Sequence, residues 1–216
     1  MKILAHRGYW QKPEEKNTLG ALKSALEHGY GFESDLRDYA GQLAVSHDMA
    51  TLSSPAAEDV IANLAGYGDA YTFAVNIKAD GLGDLLANLL DKYHVSNYFL
   101  FDMSVTQMVY FAERKFRFYT RHSDVETVPV LYRQAAGIWL DSFYDTAWPT
   151  PWVIREHLRR GKEVCLVSPE LHQREPLPVW QTLKEQGFQT EPGLLLCTDR
   201  PDKARDFFGL AGEYDA

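Results

Sequence analysis

The sequence predicts an α/β protein, a single-domain (β/α)8 TIM barrel with a hairpin extension after the second strand. Short apolar runs alternate with amphipathic helical stretches along all 216 residues, which is typical of a parallel sheet covered by helices. Eight apolar runs of this kind are present, and eight strand–helix units favour closure into a barrel. An open doubly wound sheet is the alternative. Its first strand should be followed by a Gly-rich turn, whereas here the first run ends at His6-Arg7-Gly8.

The predicted strands are short apolar segments that end at polar residues. In chain order they span residues 2–5, 31–38, 71–77, 98–101, 116–120, 138–140, 164–167 and 194–197. The second strand continues into a hairpin, because Gly41 marks a tight turn and residues 43–46 return toward His47.

The predicted helices follow from apolar residues at 3.6-residue spacing. The first of them has Leu19, Leu22 and Leu26 on one face, with Thr18 as the N-cap and Gly29 as the end signal. The later helical segments span residues 59–64, 82–93, 105–112, 128–136, 151–160, 179–186 and 201–208.

Composition excludes several classes of protein. The net charge is −8 at pH 7 and no Lys/Arg cluster supplies a basic face, so we expect no nucleic-acid partner. Only three apolar residues follow Lys2, and no apolar run is long enough to span a membrane. Cys165 and Cys197 are too few for a disulfide framework and read as buried free thiols. We therefore expect a cytoplasmic protein.

Polar residues with catalytic chemistry concentrate near the ends of the first two predicted strands. Glu33 and Asp35 are two positions apart, so both side chains should lie on one face of their strand and offer oxygen ligands for Mg²⁺ or Ca²⁺. His6 and His47 are candidates for proton transfer. Arg7 offers a fork of donors that suits a phosphate. We expect both carboxylates to lie at a solvated mouth.

The order of these motifs resembles the glycerophosphodiester phosphodiesterase family, over nearly the whole chain. No single motif is specific, but the ordered set at these distances is. The set consists of His6-Arg7-Gly8, Asn17-Thr18, Gly31-x-Glu33-x-Asp35, His47-Asp48, Asn76-Ile77-Lys78 and Thr198-Asp199-Arg200-Pro201.

The resemblance implies a divalent metal, Mg²⁺ or Ca²⁺, as cofactor. Glu33 and Asp35 would bind it, with a third ligand from the third strand. Asn76 occupies the place of the family's usual Glu, so the site keeps an oxygen ligand but loses one negative charge. Other acids that could complete the site are Asp102, Asp141 and Glu170.

The resemblance also implies the chemistry. His6 and His47 would form the acid/base pair, while Arg7 and Lys78 would hold the phosphoryl oxygens. The expected reaction is hydrolysis of a small glycerophosphodiester-like molecule. A second departure is Lys16, which stands where the family usually has the Glu of Glu-Asn-Thr, and it adds a cation near the phosphate.

Two alternatives keep the same residues but change the outcome. In the first, a hydroxyl of the substrate attacks the phosphate and a cyclic phosphate is released. In the second, the protein is a catalytically weakened relative that binds a phosphodiester, an alternative that rests on Asn76 and Lys16.

Overall fold

The structure is a computed structural model that describes residues 1–145 and 147–210. Its strands are β1 (Lys2–His6), β2 (Gly31–Tyr39), β3 (Gln42–Val45), β4 (Phe73–Ile77), β5 (Tyr98–Phe101), β6 (Tyr119–His122), β7 (Gly137–Leu140), β8 (Glu163–Val167) and β9 (Leu194–Thr198). Its α-helices are α1 (Leu19–Glu27), α2 (Ala57–Ala65), α3 (Gly83–Lys92), α4 (Val105–Glu113), α5 (Pro151–Arg159), α6 (Leu177–Glu185) and α7 (Pro201–Phe208).

The chain divides into two compact units, one of residues 5–117 and one of residues 1–4 with 118 onward. In the first unit the strands follow the order β5-β4-β2-β1, and β2, β4 and β5 pair in parallel. The pairing of β2 with β4 places Asp35 opposite Asn76. Parallel neighbours joined by helices are the arrangement that the alternating sequence pattern predicted.

The predicted hairpin after β2 is confirmed. Strand β3 pairs antiparallel with the second half of β2, from Leu36↔Val45 to Tyr39↔Gln42. The backbone N–H of Ser46 then donates to the carbonyl of Asp35 at 3.0 Å, so the returning strand stays joined to β2 up to the residue before His47.

The first predicted helix is also confirmed. The Thr18 Oγ1 accepts a hydrogen bond from the backbone N–H of Ala21 at 3.2 Å, which satisfies one of the free donors at the start of α1. Leu22 and Leu26 are buried on its inner face.

In the second unit, β6, β7, β8 and β9 pair in parallel in that order. Cys165 on β8 and Cys197 on β9 are buried, as predicted, and neither forms a disulfide. None of the helices among the described residues is long and apolar enough to cross a bilayer.

The predicted helix over residues 128–136 is wrong, because these residues form turns. Val128 is 78% exposed, and Leu131 has a left-handed φ of 51°, which an α-helix does not accommodate. The apolar residues of this segment recur at helical spacing, but they do not form the buried face of a helix.

The strand before this segment also begins later than predicted. Strand β6 starts at Tyr119, because Phe116 instead packs against Phe111 of α4 with ring centroids 5.0 Å apart.

Candidate active site

The site in the unit of residues 5–117 begins where β1 ends, at His6-Arg7-Gly8. Arg7 and Gly8 both have positive φ, 56° and 92°, so the chain turns sharply after the strand. A Cβ at Gly8 would lie 2.6 Å from the carbonyl carbon of Ala21. The turn therefore brings the backbone of α1 against the end of β1, and a side chain at position 8 would prevent that approach.

Asp35 is the centre of the site's charged contacts. Its Oδ2 lies 3.1 Å from Arg7 Nε and its Oδ1 lies 3.3 Å from Lys78 Nζ. Glu33 Oε2 accepts the backbone N–H of Arg7 at 3.2 Å, so both carboxylates face Arg7, which confirms that they share one side of β2. The expectation that they lie at a solvated mouth is wrong, since Glu33 and Asp35 are only 1% and 0% exposed.

Asn17 belongs to the site although its motif suggested no role for its side chain. Its Nδ2 donates to Asp35 Oδ2 at 2.8 Å, and its Oδ1 accepts the Ser34 hydroxyl at 2.9 Å. Its backbone N–H donates to the Arg7 carbonyl at 2.9 Å. Asn17 therefore holds both the buried carboxylate and the turn that carries Arg7.

The pKa of Glu33 is raised from 4.5 to about 8. The main cause is burial, because a charged carboxylate loses its hydration, and the second cause is repulsion by the Asp35 carboxylate. Arg7 and Lys78 oppose this increase without cancelling it. Burial and this neighbouring charge therefore disfavour the ionised form of the Glu33 carboxyl.

The donor set fits a divalent cation. Asp35 Oδ1 and Asn76 Oδ1 are buried and form no hydrogen bond, although Lys78 lies 3.3 Å from the first. The two residues face each other across β2 and β4. A buried oxygen that accepts no hydrogen bond carries a free-energy cost, and oxygens are the ligands that Mg²⁺ and Ca²⁺ prefer. A cation would also favour the ionised form of Glu33.

Two of the alternative metal ligands, Glu170 and Asp141, already contact protein groups. Glu170 accepts hydrogen bonds from Ser168 Oγ at 2.5 Å, from Thr198 Oγ1 and from the backbone N–H of Asp199. Asp141 Oδ1 lies 2.7 Å from His172 Nε2. No three His, Cys, Asp or Glu side chains group as a metal site in residues 1–145 and 147–210. These contacts engage Glu170 and Asp141 with protein groups, whereas Asn76 Oδ1 is buried and forms no hydrogen bond.

Lys78 is positioned by backbone bonds on both sides. Its N–H donates to the Leu36 carbonyl at 3.0 Å, and its own carbonyl accepts Arg37 Nη2 at 3.0 Å. The end of β4 is thereby joined to β2, and the Lys78 ammonium lies against Asp35.

The two histidines differ in environment. The His6 side chain is 13% exposed, and its Nε2 lies 3.8 Å from Glu33 Oε2. The His47 side chain is 45% exposed, and its Nδ1 lies 3.1 Å from Asp48 Oδ1. The structure thus ties His6 to the buried carboxylates, while His47 follows the hairpin that is bonded to the Asp35 backbone.

No family model and no curated protein matches the chain. Solved structures do match it over almost its full length. A glycerophosphodiester phosphodiesterase from Parabacteroides distasonis superposes with a TM-score of 0.71 at 15% identity, over 96% of each chain. One from Agrobacterium tumefaciens superposes with a TM-score of 0.69 at 18% identity, over 98% of this chain and 100% of that one.

Two further matches widen the comparison. A phosphodiesterase from Oleispira antarctica, in complex with the product sn-glycerol-3-phosphate, gives a TM-score of 0.67 at 15% identity over 97% of each chain. A Ca²⁺-dependent phosphatidylinositol-specific phospholipase C from Streptomyces antibioticus gives 0.60 at 9% identity, over 96% of this chain and 95% of that one. The resemblance seen in the motifs is confirmed at the level of the fold: the chain has the (β/α)8-barrel fold of the glycerophosphodiester phosphodiesterases.

Proposed function

We propose that the protein hydrolyses a small glycerophosphodiester-like molecule with the help of a divalent metal ion and two histidines. The observation that carries the proposal is the contact of Arg7 and Lys78 with one buried carboxylate, Asp35, beside Glu33 and Asn76. The fold shared with glycerophosphodiester phosphodiesterases supports the reaction class. The sn-glycerol-3-phosphate bound to the Oleispira protein supports the choice of a glycerol-containing substrate.

Arg7 and Lys78 bind the phosphoryl oxygens in this proposal. Their side chains are 22% and 21% exposed, so both side chains are partly accessible to a ligand. A phosphodiester anion meets two cations whose positions are already set by Asp35, which limits the reorganisation needed as charge grows on the non-bridging oxygens.

Glu33, Asp35 and Asn76 would hold Mg²⁺ or Ca²⁺. Such an ion, when bound, supplies positive charge to the phosphoryl oxygens and favours an ionised nucleophile. Asn17 keeps Asp35 oriented through its 2.8 Å hydrogen bond to Oδ2, and Oδ1, which lies 3.3 Å from Lys78 Nζ, would be the oxygen that binds the cation.

His6 and His47 act as the acid/base pair. In-line displacement places the attacking and the leaving oxygen on opposite sides of the phosphorus, so two separate residues serve it better than one. The contact of His47 Nδ1 with Asp48 at 3.1 Å favours a proton on Nδ1. The Nε2 of His47 then remains available to exchange a proton with an oxygen of the reaction.

The test is a turnover screen over glycerophosphodiesters with Mg²⁺, Ca²⁺ or Mn²⁺, followed by identification of the phosphorus-containing product. We expect metal-stimulated release of glycerol phosphate and a free alcohol. A cyclic phosphate as end product would instead indicate attack by a substrate hydroxyl. Binding of the diesters without any turnover would indicate a relative that has lost catalysis.

A further inference from the structure

A cavity of about 330 Å³ lies within the unit of residues 1–4 and 118 onward, beside the carboxyl ends of β7 and β8. Its polar wall consists of Ser142, Arg174 and Glu175. Its apolar wall consists of Trp148, Pro149, Val167, Pro169, Pro178 and Val179. A concave cavity of this size, mostly apolar and with a few polar groups, is typical of a site for a small molecule.

Hydrogen bonds hold the loop after β7, which forms one side of this cavity. The Asp124 carboxylate accepts the three successive backbone N–H groups of residues 143–145, at 2.8, 2.6 and 2.8 Å. The indole Nε1 of Trp148 donates to the carbonyl of Asp141 at 2.9 Å. The position of Trp148 is therefore set before any ligand binds, which reduces the entropy that binding would cost.

Arg174 is the cation of the cavity, and its hydrogen bonds go to neutral groups. Its Nη2 donates to the Ser142 carbonyl, and its Nη1 donates to the Ser142 hydroxyl at 3.4 Å. Its Nε is buried and forms no hydrogen bond. Within the part of the chain that the structure describes, Arg174 forms no ion pair with a carboxylate. The half-buried guanidinium consequently has no counter-ion there.

The chemistry of Arg174 favours an anionic ligand. A guanidinium carries five N–H donors, and Ser142 accepts from only two of its nitrogens. The remaining donors suit a carboxylate or a phosphate, and a partly buried charge gains from such a partner. Glu175 opposes an anion less strongly, because it is exposed to water and its Oε1 accepts the backbone N–H of Leu177 at 3.3 Å.

We propose that this cavity binds a small organic anion, in which a carboxylate or phosphate group is attached to an apolar ring. Arg174 contacts the anionic group, and Trp148 and the prolines of the wall pack against the ring. None of these residues has a part in the proposed hydrolysis, so the inference does not rest on that function.

The test follows the indole N–H signal of Trp148 by ¹⁵N NMR while a probe is titrated into the protein. The signal is assigned by its absence in Trp148→Phe. The probes are naphthoate, naphthyl phosphate and the neutral naphthamide, which share one ring system. The proteins are the wild type, Arg174→Gln, Arg174→Lys and the control Arg159→Gln, which removes an arginine whose side chain is 79% exposed.

We expect the wild type and Arg159→Gln to bind naphthoate or naphthyl phosphate about tenfold more tightly than naphthamide, and Arg174→Gln to lose most of that ratio. Arg174→Lys should keep only part of it, because a lysine retains the charge and lacks the planar fork.

Two results would overturn the inference: a Trp148 signal that neither anion moves, or the wild-type ratio in Arg174→Gln. If Arg174→Gln does not fold, an undiminished ratio in Arg174→Lys would overturn it instead. Turnover of diesters is measured separately, so the proposed function stands or falls independently of these titrations.

Discussion

Asp35 and Glu33 are neighbours on one face of β2, yet their surroundings give them different electrostatic roles. Asp35 is the buried counter-charge of Arg7 and Lys78. Glu33 is buried to the same extent but has a pKa raised to about 8. Asp35 is therefore the counter-charge of two cations in the fold, whereas burial disfavours the charged form of Glu33.

Asp35→Asn and Glu33→Gln should consequently differ in stability. Asp35→Asn leaves two cations without their partner and should cost about 3 kcal/mol of unfolding free energy. Glu33→Gln replaces a carboxyl whose charged form is disfavoured by burial with an amide of similar shape, and should cost less than about 1 kcal/mol at pH 7. Urea unfolding of the metal-free proteins measures both, with the exposed Asp38→Asn on the same strand as control. Equal losses for the two variants would contradict this division of roles.

Asn76→Glu should tighten binding of Mg²⁺ or Ca²⁺, because it adds a third carboxylate beside Glu33 and Asp35. Without metal the same change should lower the melting temperature, since residue 76 is only 7% exposed and a further buried acid is unfavourable there. Calorimetric titration and thermal unfolding with and without metal provide the measurements. Unchanged affinity would mean that residue 76 does not contact the ion, and Asp102 would be the next residue to test.

Substitution of either histidine by Ala should reduce turnover by roughly 10²–10⁴, the usual contribution of a positioned acid or base. The variant that lacks the acid should recover with a nitrophenyl ester, whose leaving group needs no proton, and the variant that lacks the base should not. Steady-state kinetics of His6→Ala and His47→Ala on both substrate types test this. Near wild-type rates for both variants on a natural-type diester would remove the basis of the two-histidine mechanism.

At the scale of single elements, the start of α1 decides the geometry of the site. The turn after β1 passes so close to this helix that the backbone N–H of Tyr9 donates to the Ala21 carbonyl at 2.8 Å. That contact is possible only because residue 8 has no side chain and adopts a φ of 92°. The position of α1 and the direction of Arg7 therefore both depend on Gly8.

Gly8→Ala should destabilise the protein by at least about 2 kcal/mol, because it combines a positive φ with a clash against backbone atoms. Gly20→Ala is the matched control on α1, where a Cβ has only Thr18 Oγ1 within 4 Å, at 3.9 Å. The control should change the unfolding free energy by less than about 1 kcal/mol and not destabilise the protein, because Ala is more favourable than Gly in a helix. Denaturant unfolding of both variants checks the sign of each change.

At the scale of the whole molecule, a histidine cluster links stability to pH. His157 hydrogen-bonds His122 at 2.9 Å and Tyr132 at 3.0 Å. Its pKa is lowered from 6.5 to about 4, first by burial and then by the neighbouring His122. The pKa of His122 is also lowered, mainly by burial. The folded state thus holds His157 neutral in a pH range where the unfolded chain binds a proton.

Between pH 6.5 and about 4, the unfolded state binds more protons at this position, so the contribution of His157 to stability falls as the pH falls. His157→Gln should therefore weaken the pH dependence of the unfolding free energy in this window. Urea unfolding at several pH values compares it with the wild type and with the exposed His28→Gln. The same slope for His157→Gln and the wild type would show that the cluster does not control this dependence.

The sequence by itself determined the order of strands and helices, the hairpin after β2 and the common face of Glu33 and Asp35. These features depend on residues close together in the chain, where spacing and turn residues carry the information. Local spacing failed at residues 128–136, where Val128 is exposed, because periodicity shows a possible face and not whether anything packs on it.

Only the tertiary structure decided how the site is charged and how deeply it is buried. The bond between Asn17 and Asp35 joins residues 18 positions apart, and the contact of Lys78 with Asp35 joins two different strands. Neither the burial of the two carboxylates nor the raised pKa of Glu33 has a local signal. Both arise because strands and loops that are distant in the sequence exclude water from these two carboxylates. A sequence motif identifies the residues of a site, but it does not determine how far they are exposed to solvent.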